Sequence, residues 1–225
     1  HVYPEMTVGK VGVRSGLYMA SSDEIHLQFI GVGGHGALPA NCVNPLSMAA
    51  EVILNAQKII DEFHPEGVPT VLSFGRIEGL GSTNVIPSEC TLKGTLRTMD
   101  EAWRAEFFER FTRFVNEVAT RYGGSVEFER APGYPFLKND PHVTKGVEQS
   151  LKLQLGEAHV ETLPLRMTAE DFAFYSHKVP VCFFRLGVGD PAKSINYGVH
   201  HPKFDIHADA LRVGVEAMLS VVFNG

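Results

Sequence analysis

His35 sits in the run Gly31-Val32-Gly33-Gly34-His35-Gly36, which matches G-x-G-x-x-G after a strand-like segment. A dinucleotide site needs a helix to begin at the third glycine, so that its N-terminus meets the pyrophosphate. Here the loop runs on through Pro39 to Asn44, and that geometry fails. The glycines then form either a plain loop or a tip that presents His35 to a neighbouring active site. Arg97 lies beside Thr95 on the polar side of an alternating segment. It is either a solvated cation or a fork that grips a carboxylate through two nitrogens. Asn84 falls in a turn, where Asx geometry alone explains it. His200-His201-Pro202 leads to Phe204-Asp205 in a polar cluster. Neutral imidazole is the commonest metal ligand, and adjacent loop histidines point in different directions, so one of the pair can ligate without the other. Glu170-Asp171 reads as acids behind a site or as charges at a helix N-terminus. There is no H-E-x-x-H and no nucleophile-elbow serine.

The elements that must carry these groups follow from periodicity. Ile25, Leu27 and Phe29 alternate with His26 and Gln28, which predicts a strand. Asn44 followed by Pro45 predicts a capped helix, with Leu46, Ala49, Ala50, Ile53, Ile60 and Phe63 as its apolar stripe. Residues 69–78 read as a second strand. Cys90 to Arg97 alternates as a third. Asp100 caps a helix whose stripe is Trp103, Phe107, Phe111, Phe114 and Val118, and Gly123-Gly124 ends it. Val126 and Phe128 mark a fourth strand. The order β-α-β-β-α-β predicts the split-βαβ, ferredoxin-like arrangement, an antiparallel sheet with both helices on one face. The flanks differ. Residues 1–22 predict one or two short strands. Residues 134–225 predict helices over about 141–155 and 208–222 and an apolar strand at 181–186. We read these flanks as two ends of a larger α/β domain into which the βαββαβ unit is inserted. The division is 1–22, 23–133 and 134–225.

Composition excludes several classes. Net charge is −6, and no basic run exceeds two residues. That argues against nucleic-acid and anionic-membrane partners, which need a basic footprint. No apolar stretch approaches the ~20 residues of a membrane span. Cys42, Cys90 and Cys182 are far apart, with no C-x-x-C, which argues against a thiolate zinc site. So sparse and odd a cysteine count fits a reducing, cytoplasmic setting. Fifteen Phe against one Trp suggests cores packed with plain rings. The opening His1-Val2-Tyr3-Pro4 reads like the middle of a chain and predicts a cut, processed or partial protein.

Taken together, the motifs resemble the M20 metallopeptidase family. The nearest branch is its amidohydrolases, which include hippurate hydrolase, N-acyl-amino-acid amidohydrolases and auxin-conjugate hydrolases. The resemblance runs through His1-Val2-Tyr3-Pro4, Gly9 to Gly16, Gly33 to Pro39, Asn84 to Pro87, Gly94 to Thr98, Glu170 to Phe172 and His200 to Asp205. It implies a zinc-peptidase-like α/β catalytic domain with an inserted βαββαβ lid that often mediates dimerisation. It implies two divalent ions (Zn, Mn, Co or Ni) holding a bridging water, whose hydroxide attacks an amide carbon. His1 and His200 resemble metal ligands. His35 resembles a donor that reaches across a homodimer to the oxyanion. Asn84 would lie near the same site, Arg97 would hold the α-carboxylate of an N-acyl amino acid or peptide substrate, and Glu170 would line the substrate site. The remaining family ligands and the paired glutamates have no counterpart here, so the chain alone is expected to be inactive. The competing expectation is a metal-free βαββαβ module whose role is binding or dimerisation.

Overall fold

A computed structural model describes residues 1–193, 195 and 197–224. In chain order the first elements are β1 (Val2–Thr7), β2 (Val11–Val13), β3 (Gly16–Met19), β4 (Asp23–Ile30) and β5 (Gly34–His35). Next come α1 (Pro45–Asn55), α2 (Gln57–Phe63), β6 (Thr70–Glu78), β7 (Val85–Ile86), β8 (Glu89–Thr98), α3 (Glu101–Tyr122) and β9 (Ser125–Pro132). The last are β10 (Leu137–Asn139), α4 (Pro141–Leu155), β11 (Val160–Thr162), α5 (Ala173–Ser176), β12 (Arg185–Gly189) and α6 (Asp209–Asn224). The chain forms two compact units. One comprises His1–Tyr18, Leu137–Arg166 and Phe172–Gly225; the other comprises Met19–Phe136 and Met167–Asp171.

In the second unit, the side chains of β4 alternate between a buried and an open face, as a half-buried strand must. The sheet order is β6-β8-β4-β9, and every neighbouring pair is antiparallel. Ile25, Leu27 and Phe29 point at α1, α2 and α3, and with Leu92 and Leu96 they form one core. Asp100 caps α3 by accepting from the Trp103 amide at 2.7 Å, and Gly123 ends it at φ 80°, a conformation glycine adopts without strain. The aromatic march packs as rings: Phe107 stacks on Phe111 at 5.5 Å, and Phe111 meets Phe128 edge-on at 5.5 Å. Trp103 is buried, with its indole N–H donated to Thr70 Oγ1 at 3.1 Å. Phe107 is fully enclosed. We expect Phe107→Ala to cost about 3–5 kcal/mol in urea unfolding; a loss under about 1 kcal/mol would show that this core collapses around the cavity.

The single helix expected after Asn44 is two. α1 stops at Asn55, and α2 begins after Ala56. The turn between them re-aims the stripe. Met48, Ala49, Val52, Ala56, Ile59 and Ile60 are buried, whereas Ile53 and Phe63 are exposed. Phe63 instead lies under the Arg110 guanidinium, 3.8 Å from its ring centre. The sequence stripe assumed one axis; after the break Ile60 stays buried and Phe63 does not, while Ile53 sits at the edge of the α1 stripe.

The first unit holds a four-stranded sheet of order β1-β12-β2-β11, with β1 parallel to β12 and β12 antiparallel to β2. Val11, Val13, Val147, Leu151 and Ala217 form its core. The flanks carry more strands than expected. Residues 1–19 form three, and β10 and β11 were missed because three-residue strands carry too little periodicity to read. The strand expected at 181–186 lies at Arg185–Gly189. The apolar run before it meets Asn139, whose side chain bonds Phe183 N at 2.7 Å and Phe183 O at 2.9 Å. Among the described residues no helix is long and apolar enough to cross a membrane.

Candidate active site

The glycine-rich run builds a ribbon. Gly34 and His35 pair antiparallel with Ile86 and Val85, and Gly36 N donates to Asn84 O at 2.8 Å. No α-helix starts at Gly36. A single 3₁₀ turn, Pro39–Asn41, follows, and α1 begins at Pro45. The glycines are needed for backbone approach. A Cβ on Gly33 would stand 2.7 Å from Ile86 O, and one on Gly31 would stand 2.1 Å from Val43 O. Gly33→Ala should therefore push β5 off β7 and cost about 1–3 kcal/mol. Loss of the Gly36 amide protection in hydrogen exchange is the expected sign, because that N–H is bonded across the ribbon to Asn84 O, and unchanged protection would contradict it.

His35 is exposed, and its Nδ1 accepts the Ala37 N–H at 3.1 Å. That acceptance needs a lone pair on Nδ1, so the ring proton sits on Nε2. In that tautomer Nε2 is a hydrogen-bond donor carried on the ribbon. Asn84 is its backbone neighbour, and Asn84 Oδ1 is anchored by Ser82 Oγ at 3.1 Å. Two residues the sequence placed in separate motifs thus meet at one tip.

Arg97 stands elsewhere. It lies near the C-terminal end of β8, opposite Val71 of β6, on the strand face that alternates away from buried Leu96 and Thr98. No carboxylate among the described residues pairs with it, and it is half-buried. The ribbon adjoins the other end of β8, since Gly31 N bonds Ser88 O at 2.8 Å. At about 3.4 Å per residue, roughly 25 Å of strand separates the two. The Arg97 end is where the chain enters the sheet at Asp23 and leaves it at Pro132.

In the first unit, His1 Nδ1 lies 2.8 Å from Val2 O and 3.0 Å from Arg185 Nη1, which is itself 3.3 Å from Val2 O. Donation from His1 Nδ1 to Val2 O would leave a lone pair on Nε2, the form in which imidazole binds a metal, whereas acceptance from Arg185 would place the ring proton on Nε2. Arg185 is buried and also donates to Tyr18 OH at 3.2 Å; burial pushes the Tyr18 phenol up, against the lowering effect of Arg185. Sequence reading missed Arg185 altogether, although a charged residue ending an apolar run was a signal. His200 is exposed in a turn, whereas His201 is held by stacking on Tyr197 at 4.3 Å and by accepting Lys203 N at 3.0 Å. Glu170 lies half-buried in Met167–Asp171, and α5 begins only after Phe172, with no side-chain cap. Among the described residues no three His, Cys, Asp or Glu side chains converge as a metal site. The residues present do not by themselves fit a resident ion. All three cysteines are free, and burial pushes the Cys90 and Cys182 thiols up, away from thiolate chemistry.

Comparison with known proteins fits this picture. The profile of peptidase family M20/M25/M40 matches residues 1–224. N-acetylcysteine deacetylase of Bacillus subtilis is 31% identical over 225 residues, covering 99% of this chain and 57% of that protein. N-acetyldiaminopimelate deacetylase of Enterococcus faecalis is 32% identical over 223 residues, covering 97% and 56%. The chain thus spans little more than half the length of these relatives. The solved YXEP protein of Bacillus subtilis, described as a dinuclear metal binding peptidase of the M20 family, superposes with a TM-score of 0.71 at 26% identity. That match covers 100% of this chain and 56% of that one.

Proposed function

The chain belongs to peptidase family M20/M25/M40, and from that premise we propose that it is part of a metal-dependent hydrolase cleaving the amide bond of N-acyl amino acids or small peptide-like substrates. The observation that carries this reading is the donor tip: His35, whose Nδ1 accepts the Ala37 N–H and leaves Nε2 to donate, tied through the ribbon to Asn84. Such a preorganised donor suits the oxyanion that forms when an amide carbon is attacked. The relatives named as deacetylases supply the substrate class.

In this reading the βαββαβ unit, about 23–133, is a ferredoxin-like lid. It is inserted between 1–22 and 134–225, which are parts of a zinc-peptidase-like α/β catalytic domain. Arg97 receives the substrate carboxylate in a bidentate fork. Asn84 adds an amide beside His35, and Glu170 lines the substrate. His1 and His200 are two of the ligands for a pair of divalent ions, whose other ligands lie outside these residues. When bound, those ions supply an activated water. The roughly 25 Å between His35 and Arg97 is too long for one small substrate, so the two serve one site only from different copies. That supports a homodimer. β6 is an edge strand with one side unpaired, and Thr70–Phe74 carries no charge to block pairing.

The test uses N-acetylcysteine and N-acetyldiaminopimelate with saturating Zn, Mn, Co or Ni. The 225-residue chain should release no acetate above buffer, and an enzyme of the relatives' length that contains this sequence should turn both over. Turnover by the short chain would remove the need for further ligands. An inert long enzyme would overturn the hydrolase reading in favour of a non-catalytic dimerisation module.

A further inference from the structure

Asp23 opens β4, and its carboxylate is fully buried. Arg104 of α3 grips it with two nitrogens: Nε donates to Oδ2 at 2.6 Å and Nη2 to Oδ1 at 3.0 Å. Arg130 Nε donates to the same Oδ1 at 2.8 Å. The remaining Arg104 donors reach Glu101 Oε2 at 2.9 Å, Ser22 O at 3.3 Å and Gly133 O at 3.4 Å. Ser22 and Gly133 belong to the two stretches by which the chain enters and leaves the four-stranded sheet. Those stretches are also bonded to each other, Gly133 N to Ser22 O at 2.8 Å and Ser22 N to Tyr134 O at 2.9 Å. The end of β8 is tied in as well. Ser21 N donates to Thr98 O at 2.7 Å, and Thr95 Oγ1 donates to Asp23 O at 2.8 Å. Arg97 lies between Thr95 and Thr98.

A buried ion pair contributes little net stability over an apolar replacement, because desolvation offsets the attraction. Its bidentate bonds nevertheless fix direction, which apolar packing does not. Strand ends are also where sheets open first. We propose that Arg104 is a positioning residue: with Asp23 it forms a clasp that locks the entering and leaving strands together and fixes the end of β8 from which Arg97 projects. The clasp stands on its own geometry; its consequence for Arg97 rests on the carboxylate reading above.

Arg104→Lys keeps the charge and loses the fork, and Asp23→Asn keeps the size and loses the charge. Hydrogen exchange on the 225-residue chain separates a clasp from general stability. In both variants, amides at Ser21–Asp23, Thr95–Thr98 and Ala131–Tyr134 should exchange about tenfold faster or more, the equivalent of one bond to a charged group. Phe107–Val118 and Ile25–Phe29 should keep their protection. Uniform loss across the unit, or no local change, overturns the clasp. In the full-length enzyme, Arg104→Lys should raise KM for an N-acyl amino acid about threefold or more, leave its methyl ester unaffected and leave kcat nearly unchanged. Equal effects on acid and ester overturn the link to Arg97. If Arg97→Ala itself preserves the preference for acid over ester, the carboxylate reading fails, and the exchange pattern alone decides the clasp.

Discussion

Replacing His35 by alanine in the full-length, metal-loaded enzyme is expected to lower kcat by about 10²–10³-fold, the usual cost of one oxyanion donor. KM should change little, because the donor is aimed at charge that develops only in the transition state. His35→Gln, which can offer a side-chain N–H, should recover part of the loss. The decisive measurement is a mixture. His35→Ala and Arg97→Ala enzymes are each nearly dead. If His35 acts on its partner's site while Arg97 serves the other side of that site, unfolding and refolding them together restores one whole site in every mixed dimer. Random pairing of a two-fold dimer then gives about a quarter of wild-type activity. No recovery would place both residues at separate sites and remove the argument for a shared one. The basis is the length of β8: His35 and Asn84 lie beyond its first residue, and Arg97 lies next to its last.

The second large effect concerns Arg97. The residue is half-buried on the open sheet face and pairs with no carboxylate among the described residues. In the proposed reading a substrate carboxylate would be its acceptor. Arg97→Ala should lower kcat/KM for N-acyl amino acids by about 10²-fold, from the loss of two charge-assisted bonds. Ester- or amide-capped analogues should fall by less than about threefold. Arg97→Lys should remain impaired, since an ammonium cannot make the bidentate contact. An equal loss on capped and free substrates would show that Arg97 holds the sheet and not the ligand.

Much of this was legible without coordinates. The period-2 pattern of Ile25, Leu27 and Phe29, the i, i+4 march from Trp103 to Val118, the caps Asn44 and Asp100, and the stop at Gly123 depend on neighbours a few residues away. The structure shows each in place. The family motifs were legible for the same reason, since each is a short local run. What the sequence misread involved distance. The break at Ala56 left Phe63 at the surface, and Ile53, ahead of the break, lies at the open edge of the α1 stripe. Arg104, which no sequence pattern singled out, is buried against Asp23, 81 residues away. Arg185, missed in the sequence, sits against His1 and Val2 through contacts 184 and 183 residues apart in the chain.

The sequence by itself determined the longer elements of the 23–133 stretch, their caps and the family, because hydrophobic period and hydrogen-bond capping are local quantities. Tertiary structure decided which polar groups share a place. His35 meets Asn84 through a two-residue ribbon whose glycines admit backbone contact, and Arg97 ends up at the far end of the same sheet. Strand pairing fixes those distances, and pairing partners are chosen by packing over the whole unit rather than by any neighbouring residue.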